Sequence, residues 1–199
     1  MTATPHGSRD DLYIGPLPWD IGRPQTAFLD LAQTGALRGR VLDVGCGTGE
    51  HTLMCAALGL DVTSVDLAPR AISIAQAKAR ERGLTARFLR HDALRLAELG
   101  ESFDTVLDSL LFHIFSDGDR ASYVDTLRSV TKPGSRLFLL CFSDRQPGAG
   151  EYGPRRVTRE EIAEAFADGW KVDSIIAAAI DNTVFPDGVL AWLATLSRI

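Results

Sequence analysis

The run Val41-Leu42-Asp43-Val44-Gly45-Cys46-Gly47-Thr48-Gly49 constrains this chain more than any other stretch. Val41 to Val44 reads as a short buried strand that carries one acid. Three glycines at alternate positions then end it, and a helix is expected from about Glu50 to Leu58, closed by Gly59. Strand, glycine loop and helix together open a βαβ unit. The crevice outside such a strand end is where an open α/β sheet binds ligands. Glycines there let the backbone approach a ligand and take conformations closed to other residues.

The remaining pattern extends this unit. Strands are expected at Val62–Val65, Ala86–Leu89, Phe103–Leu107 and Leu137–Phe142. Between them lie a helix opened by Pro69 and stopped by Gly83, a short helix over Ala93–Leu99, and a helix from about Asp119 to Val130. Strands alternating with helices imply right-handed crossovers and a parallel sheet. The tail changes character. Thr158 and Glu161 form a capping-box pair before a helix. Two late strands, Lys171–Ile180 and Val189–Ser197, are joined by the short link Asp181–Gly188, so they should form an antiparallel hairpin. At the other end, the first eleven residues read as a frayed polar leader, and Pro24 suits the first turn of a helix running to about Thr34. With 199 residues the chain is expected to form one domain. Its parts are a lid and helix over 1–39, a ligand-binding core over 40–142, and a loop, helix and hairpin over 143–199.

The loop's chemistry narrows the ligand. A dinucleotide loop needs G-x-G-x-x-G, and here the third glycine is displaced to Gly49. Asp43 would repel a pyrophosphate and attract an ammonium group, directly or through water. Asp66 ends the second strand, 21 residues after Gly45, where an acid accepts hydrogen bonds from ribose hydroxyls. It is also placed to cap the helix before Pro69. Asp92-Ala93, after the third strand, suits an adenine amine, and Asp92 equally suits a helix cap. An adenosine with an amino-acid tail and no phosphate is S-adenosylmethionine, which leaves as S-adenosylhomocysteine.

On these residues the chain resembles the class I S-adenosylmethionine-dependent methyltransferases. The resemblance spans about Arg40 to Phe142 and continues by element order to the C-terminus. It implies a Rossmann-like, doubly wound, seven-stranded and mostly parallel sheet with an antiparallel C-terminal hairpin. It also implies that Gly45, Cys46, Gly47, Thr48 and Gly49 lie along the methionine portion. Asp43, Asp66, Leu67, Asp92, Ala93 and Asp108 complete the implied cofactor set.

The acceptor side is read from two further stretches. Pro18-Trp19-Asp20-Ile21-Gly22-Arg23-Pro24-Gln25 resembles the N-terminal segment of the thiopurine and thiol/halide branch, where it folds over the cofactor and excludes water. Trp19 would then pack on the cofactor and acceptor, or anchor the leader to the sheet. Gln25 would bond the methionine carboxylate, or cap a helix. Asp108-Ser109-Leu110-Leu111-Phe112-His113-Ile114-Phe115 follows the fourth strand on the crevice side. His113 is the candidate base, since a neutral imidazole takes a proton near pH 7. The alternative is a packed histidine bonded to Asp108 or a carbonyl. Phe112 and His113 are candidate acceptor contacts, as is Arg156 in the Gly/Pro-rich loop after the fifth strand.

Composition supports a small-molecule enzyme. The formal net charge of −5 argues against wrapping nucleic acid. Three cysteines without a C-x-x-C pair read as reduced thiols, and no apolar signal core or membrane span is seen, so a cytoplasmic protein is expected. The expected activity is metal-free methyl transfer to O, N or S of a small aromatic or heterocyclic molecule, by a monomer or homodimer. The alternatives are a non-catalytic cofactor-binding module and an NAD-type oxidoreductase on a similar sheet.

Overall fold

The computed structural model describes residues 9–147 and 155–199. Seven strands form one sheet: β1 (Arg40–Val44), β2 (Asp61–Asp66), β3 (Arg87–Arg90), β4 (Phe103–Ser109), β5 (Thr131–Phe142), β6 (Trp170–Ile180) and β7 (Val189–Arg198). Their order is β3-β2-β1-β4-β5-β7-β6. β1 to β5 pair in parallel, and β7 runs antiparallel to both β5 and β6. The expected Rossmann-like sheet with its antiparallel hairpin is therefore present. The chain enters at β1, winds outward to β3, then crosses back to β4. The order reverses between β1 and β4, and the ligand crevice of an open sheet lies at that reversal.

The helices are α1 (Thr26–Gln33), α2 (Glu50–Ala57), α3 (Pro69–Glu81), α4 (Asp117–Ser129) and α5 (Arg159–Ala165). Strand alternation divides the core in two. Leu42, Val44, Val106, Leu137 and Leu139 pack with residues of α4 and α5 on one face. Val41, Leu107, Phe138 and Leu140 pack with Phe28 of α1 and Cys55 of α2 on the other. Period two therefore turns Asp43 toward the α2 face, into an apolar layer.

Several expected elements shift. Residues from Arg9 form a 3-10 helix, Arg9–Ile14, in place of a frayed end, and Asp10 Oδ1 accepts the Arg70 N–H at 2.7 Å. Residues 1–8 lie outside the described residues. The expected short helix over Ala93–Leu99 is a 3-10 helix, with Asp92 as its cap. β5 starts at Thr131, well before Leu137, because a register shift opposite Phe103 and Thr105 absorbs Pro133 and Gly134. The Thr158–Glu161 capping box forms as expected. Among the described residues, no helix is long and apolar enough to cross a membrane.

Candidate active site

The glycine loop is held by backbone. Gly45 and Cys46 both donate to the Val65 carbonyl, at 2.8 and 3.0 Å, which ties the end of β1 to the end of β2. Gly45 and Gly49 take φ of 71° and 87°. A Cβ on Gly45 would approach the Leu111 side chain to 3.1 Å, and one on Gly49 would meet Ala75 Cβ at 2.7 Å. The cradle therefore admits no side chain at either end.

Asp66 fixes the middle of the loop. Its Oδ2 accepts the Gly47 N–H at 2.9 Å and its Oδ1 accepts the Ala68 N–H at 2.8 Å. Each oxygen keeps a further acceptor site. The turn and the hydroxyl-binding role expected of Asp66 are thus compatible. Below the loop, Asp43 is 1% exposed and accepts from Thr52 Oγ1 at 2.6 Å. Burial pushes its carboxyl up to about 7, against the pull of the Thr52 hydrogen bonds. Asp43 lines neither cavity, so any effect on a ligand passes through the loop.

Two cavities meet above the loop. The smaller, about 170 Å³, is bounded by Asp66, Leu67, Asp92, Ala93 and Phe115. Asp92 Oδ1 also accepts the Leu94 N–H at 2.9 Å, so it caps the 3-10 helix and lines the cavity at once. The larger, about 490 Å³, is walled by Trp19, Thr48, His51, Ser109, His113, Phe142 and Phe185, among others. Gly45, Asp66, Leu111 and Ile114 border both. A strand-end acid, a bare loop and two joined compartments fit an adenosine joined to an amino-acid chain. Asp66, Asp92 and Ala93 line the smaller cavity, and Gly45, Cys46, Gly47, Thr48 and Trp19 line the larger one.

The leader forms one wall of the larger cavity. Thr183 donates its N–H to the Pro18 carbonyl at 2.9 Å. The Asp181 carboxylate accepts the Thr26 N–H at 2.9 Å and the Arg23 guanidinium at 3.1 Å. Asp181 therefore caps α1. On the inner side, Thr48 Oγ1 donates to Asp20 at 3.0 Å, and Lys78 reaches both Thr48 and Glu50 at 2.8 Å. Burial pushes the Glu50 carboxyl up, but Arg82 and Lys78 outweigh it and hold it below its usual range.

Four sequence assignments are corrected here. Gln25 holds the N-cap position of α1, but its side chain caps nothing there and does not face a carboxylate. Its amide donates to the Asp181 carbonyl at 3.0 Å and accepts the Asp181 N–H at 2.7 Å, so both polar ends are occupied. Asp108 is fully buried, with Leu111 and Phe112 N–H groups on Oδ1 and the Tyr123 hydroxyl on Oδ2 at 2.9 Å. It shapes the turn through Leu110, whose φ of 69° is strained for leucine, and it lines neither of the two cavities. Phe112 packs in the core against Phe166 and lies under Arg120. Arg156 gives its guanidinium to the Gln146 and Pro147 carbonyls, at 2.5 and 3.3 Å, and lines neither cavity. The rest of that loop, 148–154, lies outside the described residues.

His113 does line the larger cavity, edge-on to Phe142 at 4.8 Å between ring centroids. Among the described residues its buried Nδ1 has no hydrogen-bond partner. Burial, then the Arg120 charge, pushes it down to about 4. His51 was missed. Its Nε2 accepts the Gln25 N–H at 3.1 Å, which places the ring proton on Nδ1, and burial pushes it down to about 4. Val184 and Phe185 were missed too. Two exposed hydrophobics inside the polar run Asp181-Asn182-Thr183-Val184-Phe185-Pro186-Asp187-Gly188 were the available signal.

Comparison with known proteins agrees with this geometry. The family profile described as "Methyltransferase domain" matches residues 41–134. The chain is 34% identical over 174 residues to a 2-heptyl-1-hydroxyquinolin-4(1H)-one methyltransferase of Mycobacteroides abscessus, covering 86% of this chain and 77% of that one. It is 31% identical over 142 residues to a probable thiol methyltransferase of Arabidopsis thaliana, covering 72% and 62%. A solved structure reported for conversion of a disulfide bond into a thioacetal group during echinomycin biosynthesis superposes with a TM-score of 0.83. It shares 37% identity and covers 92% of this chain and 85% of that one. With its glycine loop, strand-end acids and two joined cavities, this chain belongs to the S-adenosylmethionine-dependent methyltransferases.

Proposed function

We infer that the enzyme methylates O, N or S of a small aromatic or heterocyclic acceptor held in the larger cavity. The observation that carries this reading is the junction of the two cavities over Gly45 and Asp66. The glycine-loop side of the larger cavity then takes the amino-acid end of the cofactor, and its outer part, toward His113 and Phe185, takes the acceptor. The chamber is concave and largely apolar, with polar groups at its edges that include Gln25, Thr48, His51, Asp66, Ser109 and His113. That is the pattern of a small-molecule site. The formal net charge of −5 disfavours a nucleic-acid acceptor.

S-adenosylmethionine, when bound, supplies a methyl group on a positively charged sulfur. The chain's own contribution is alignment and exclusion of water. Orienting two reactants is worth ~7–11 kcal/mol of barrier. The leader, pinned at Pro18 and Gln25, covers the reacting pair.

His113 is better suited to orient the acceptor than to deprotonate it. Its ring, pushed down to about 4, is a weak base. Taking a proton from a phenol of ordinary acidity would cost about 8 kcal/mol. The acceptor therefore enters as an anion, or carries an acidic group such as a thiol or N-hydroxyl. The quinolone relative and the thiol relative both support such acceptors. The Pro18–Gln25 segment and the Arabidopsis relative support placement near the thiol/halide branch. The test is methyl transfer from labelled S-adenosylmethionine to a panel of N-hydroxyquinolones, thiophenols and phenols. Label on the acidic acceptors, falling with acceptor acidity, is expected. No label on any of them would contradict the reading.

A further inference from the structure

Five of the eleven exposed large hydrophobics among the described residues stand on the wall of one cavity: Leu12, Trp19, Ile114, Val184 and Phe185. They are 43–58% exposed, and they come from four separate parts of the chain. Contiguous apolar surface around a cavity marks a ligand contact. We propose that the acceptor is an amphiphile, with its polar ring beside His51 and His113 and an aliphatic tail lying along this apolar rim. The proposal rests on the larger cavity being the acceptor chamber.

The rim favours a single dissolved amphiphile over a bilayer. The five side chains face a concavity, and its walls hold few cations. Arg23 is paired with Asp181, and the link between β6 and β7 adds Asp187. An anionic membrane surface would meet net negative charge there.

Trp19 provides a native reporter. The other two tryptophans, Trp170 and Trp192, are 3% and 2% exposed, so a change in emission on ligand addition reports the rim. The experiment titrates protein saturated with S-adenosylhomocysteine with 4-quinolones carrying methyl, propyl, pentyl or heptyl at C2. Expected is a blue shift in emission and a Kd that tightens about two- to fourfold per methylene. Val184→Ser and Phe185→Ser, exposed positions in a turn, should flatten that slope and leave S-adenosylhomocysteine affinity unchanged.

A Kd independent of chain length overturns the proposal. So does a slope that survives both substitutions. An equal emission shift with zwitterionic phospholipid vesicles assigns the rim to a membrane and overturns it as well. Labelled methyl transfer, measured on the same quinolones, separates the two claims. A chain-length slope without transfer keeps the tail site and rejects the quinolone ring as acceptor.

Discussion

The two cavities share four residues and are built in opposite ways. The smaller one and the loop beneath it come from the ends of adjacent parallel strands. Gly45 follows β1, Asp66 ends β2 and Asp92 follows β3, and the partners of the first two are backbone N–H and C=O groups at the ends of those neighbouring strands or just past them. The larger cavity is assembled from pieces far apart in sequence. Pro18 meets Thr183, and Gln25 meets Asp181, across more than 150 residues. The first is set by strand register and glycine geometry; the second shares the glycine loop but takes its other walls from tertiary contacts. Changes to one should therefore be separable from changes to the other.

The largest separation is expected at glycines. Gly49→Ala forces a Cβ against Ala75 at a φ of 87°, so it should cost about 2–4 kcal/mol and abolish S-adenosylhomocysteine binding. Gly22→Ala, in the leader at a φ of 70° with nothing within 4 Å, should cost only about 1 kcal/mol. Urea unfolding and calorimetry on both variants measure the contrast.

Asp43 gives the next effect, through pH. Its folded carboxyl sits near 7, above the usual 3.8, because burial favours the neutral form. The stability it contributes is full below about pH 4 and is lost as pH rises through 7. Asp43→Asn removes this loss. The variant should gain about 2–4 kcal/mol on wild type between pH 4 and pH 8. Tm against pH checks it, and a constant offset would contradict the buried-acid account.

Asp181→Ala tests the other side. It removes the α1 cap and the Arg23 pair, so a loss of about 1–2 kcal/mol is expected. The acceptor KM should rise roughly tenfold as the leader loosens. The smallest effect is at His113. An orienting imidazole predicts that His113→Asn lowers kcat about tenfold, without changing the pH–rate profile between pH 5 and pH 8. A base would cost about 10²–10⁴-fold and remove a limb.

The same contrast explains what could be read in the sequence. Each strand and helix of the core was legible, because glycine, proline and apolar period are local signals. The strand-end places of the loop glycines, Asp66, Asp92 and Ala93 were legible for the same reason: one strand end fixes each of them. Gln25, Asp108, Phe112 and Arg156 were misread because their side-chain partners lie elsewhere in the fold. Nothing near Gln25 announces Asp181, and nothing near Asp108 announces Tyr123. His113 was found by its place after β4. His51 was missed because the start of α2 looked like helix rather than wall.

Calorimetric titration with S-adenosylhomocysteine, on wild type, Asp66→Ala and Asp181→Ala, tests the division most directly. The account predicts micromolar binding by wild type, loss of binding in Asp66→Ala, and near wild-type binding in Asp181→Ala despite its weakened acceptor KM. Equal loss in both variants, or unchanged binding in Asp66→Ala, would contradict it.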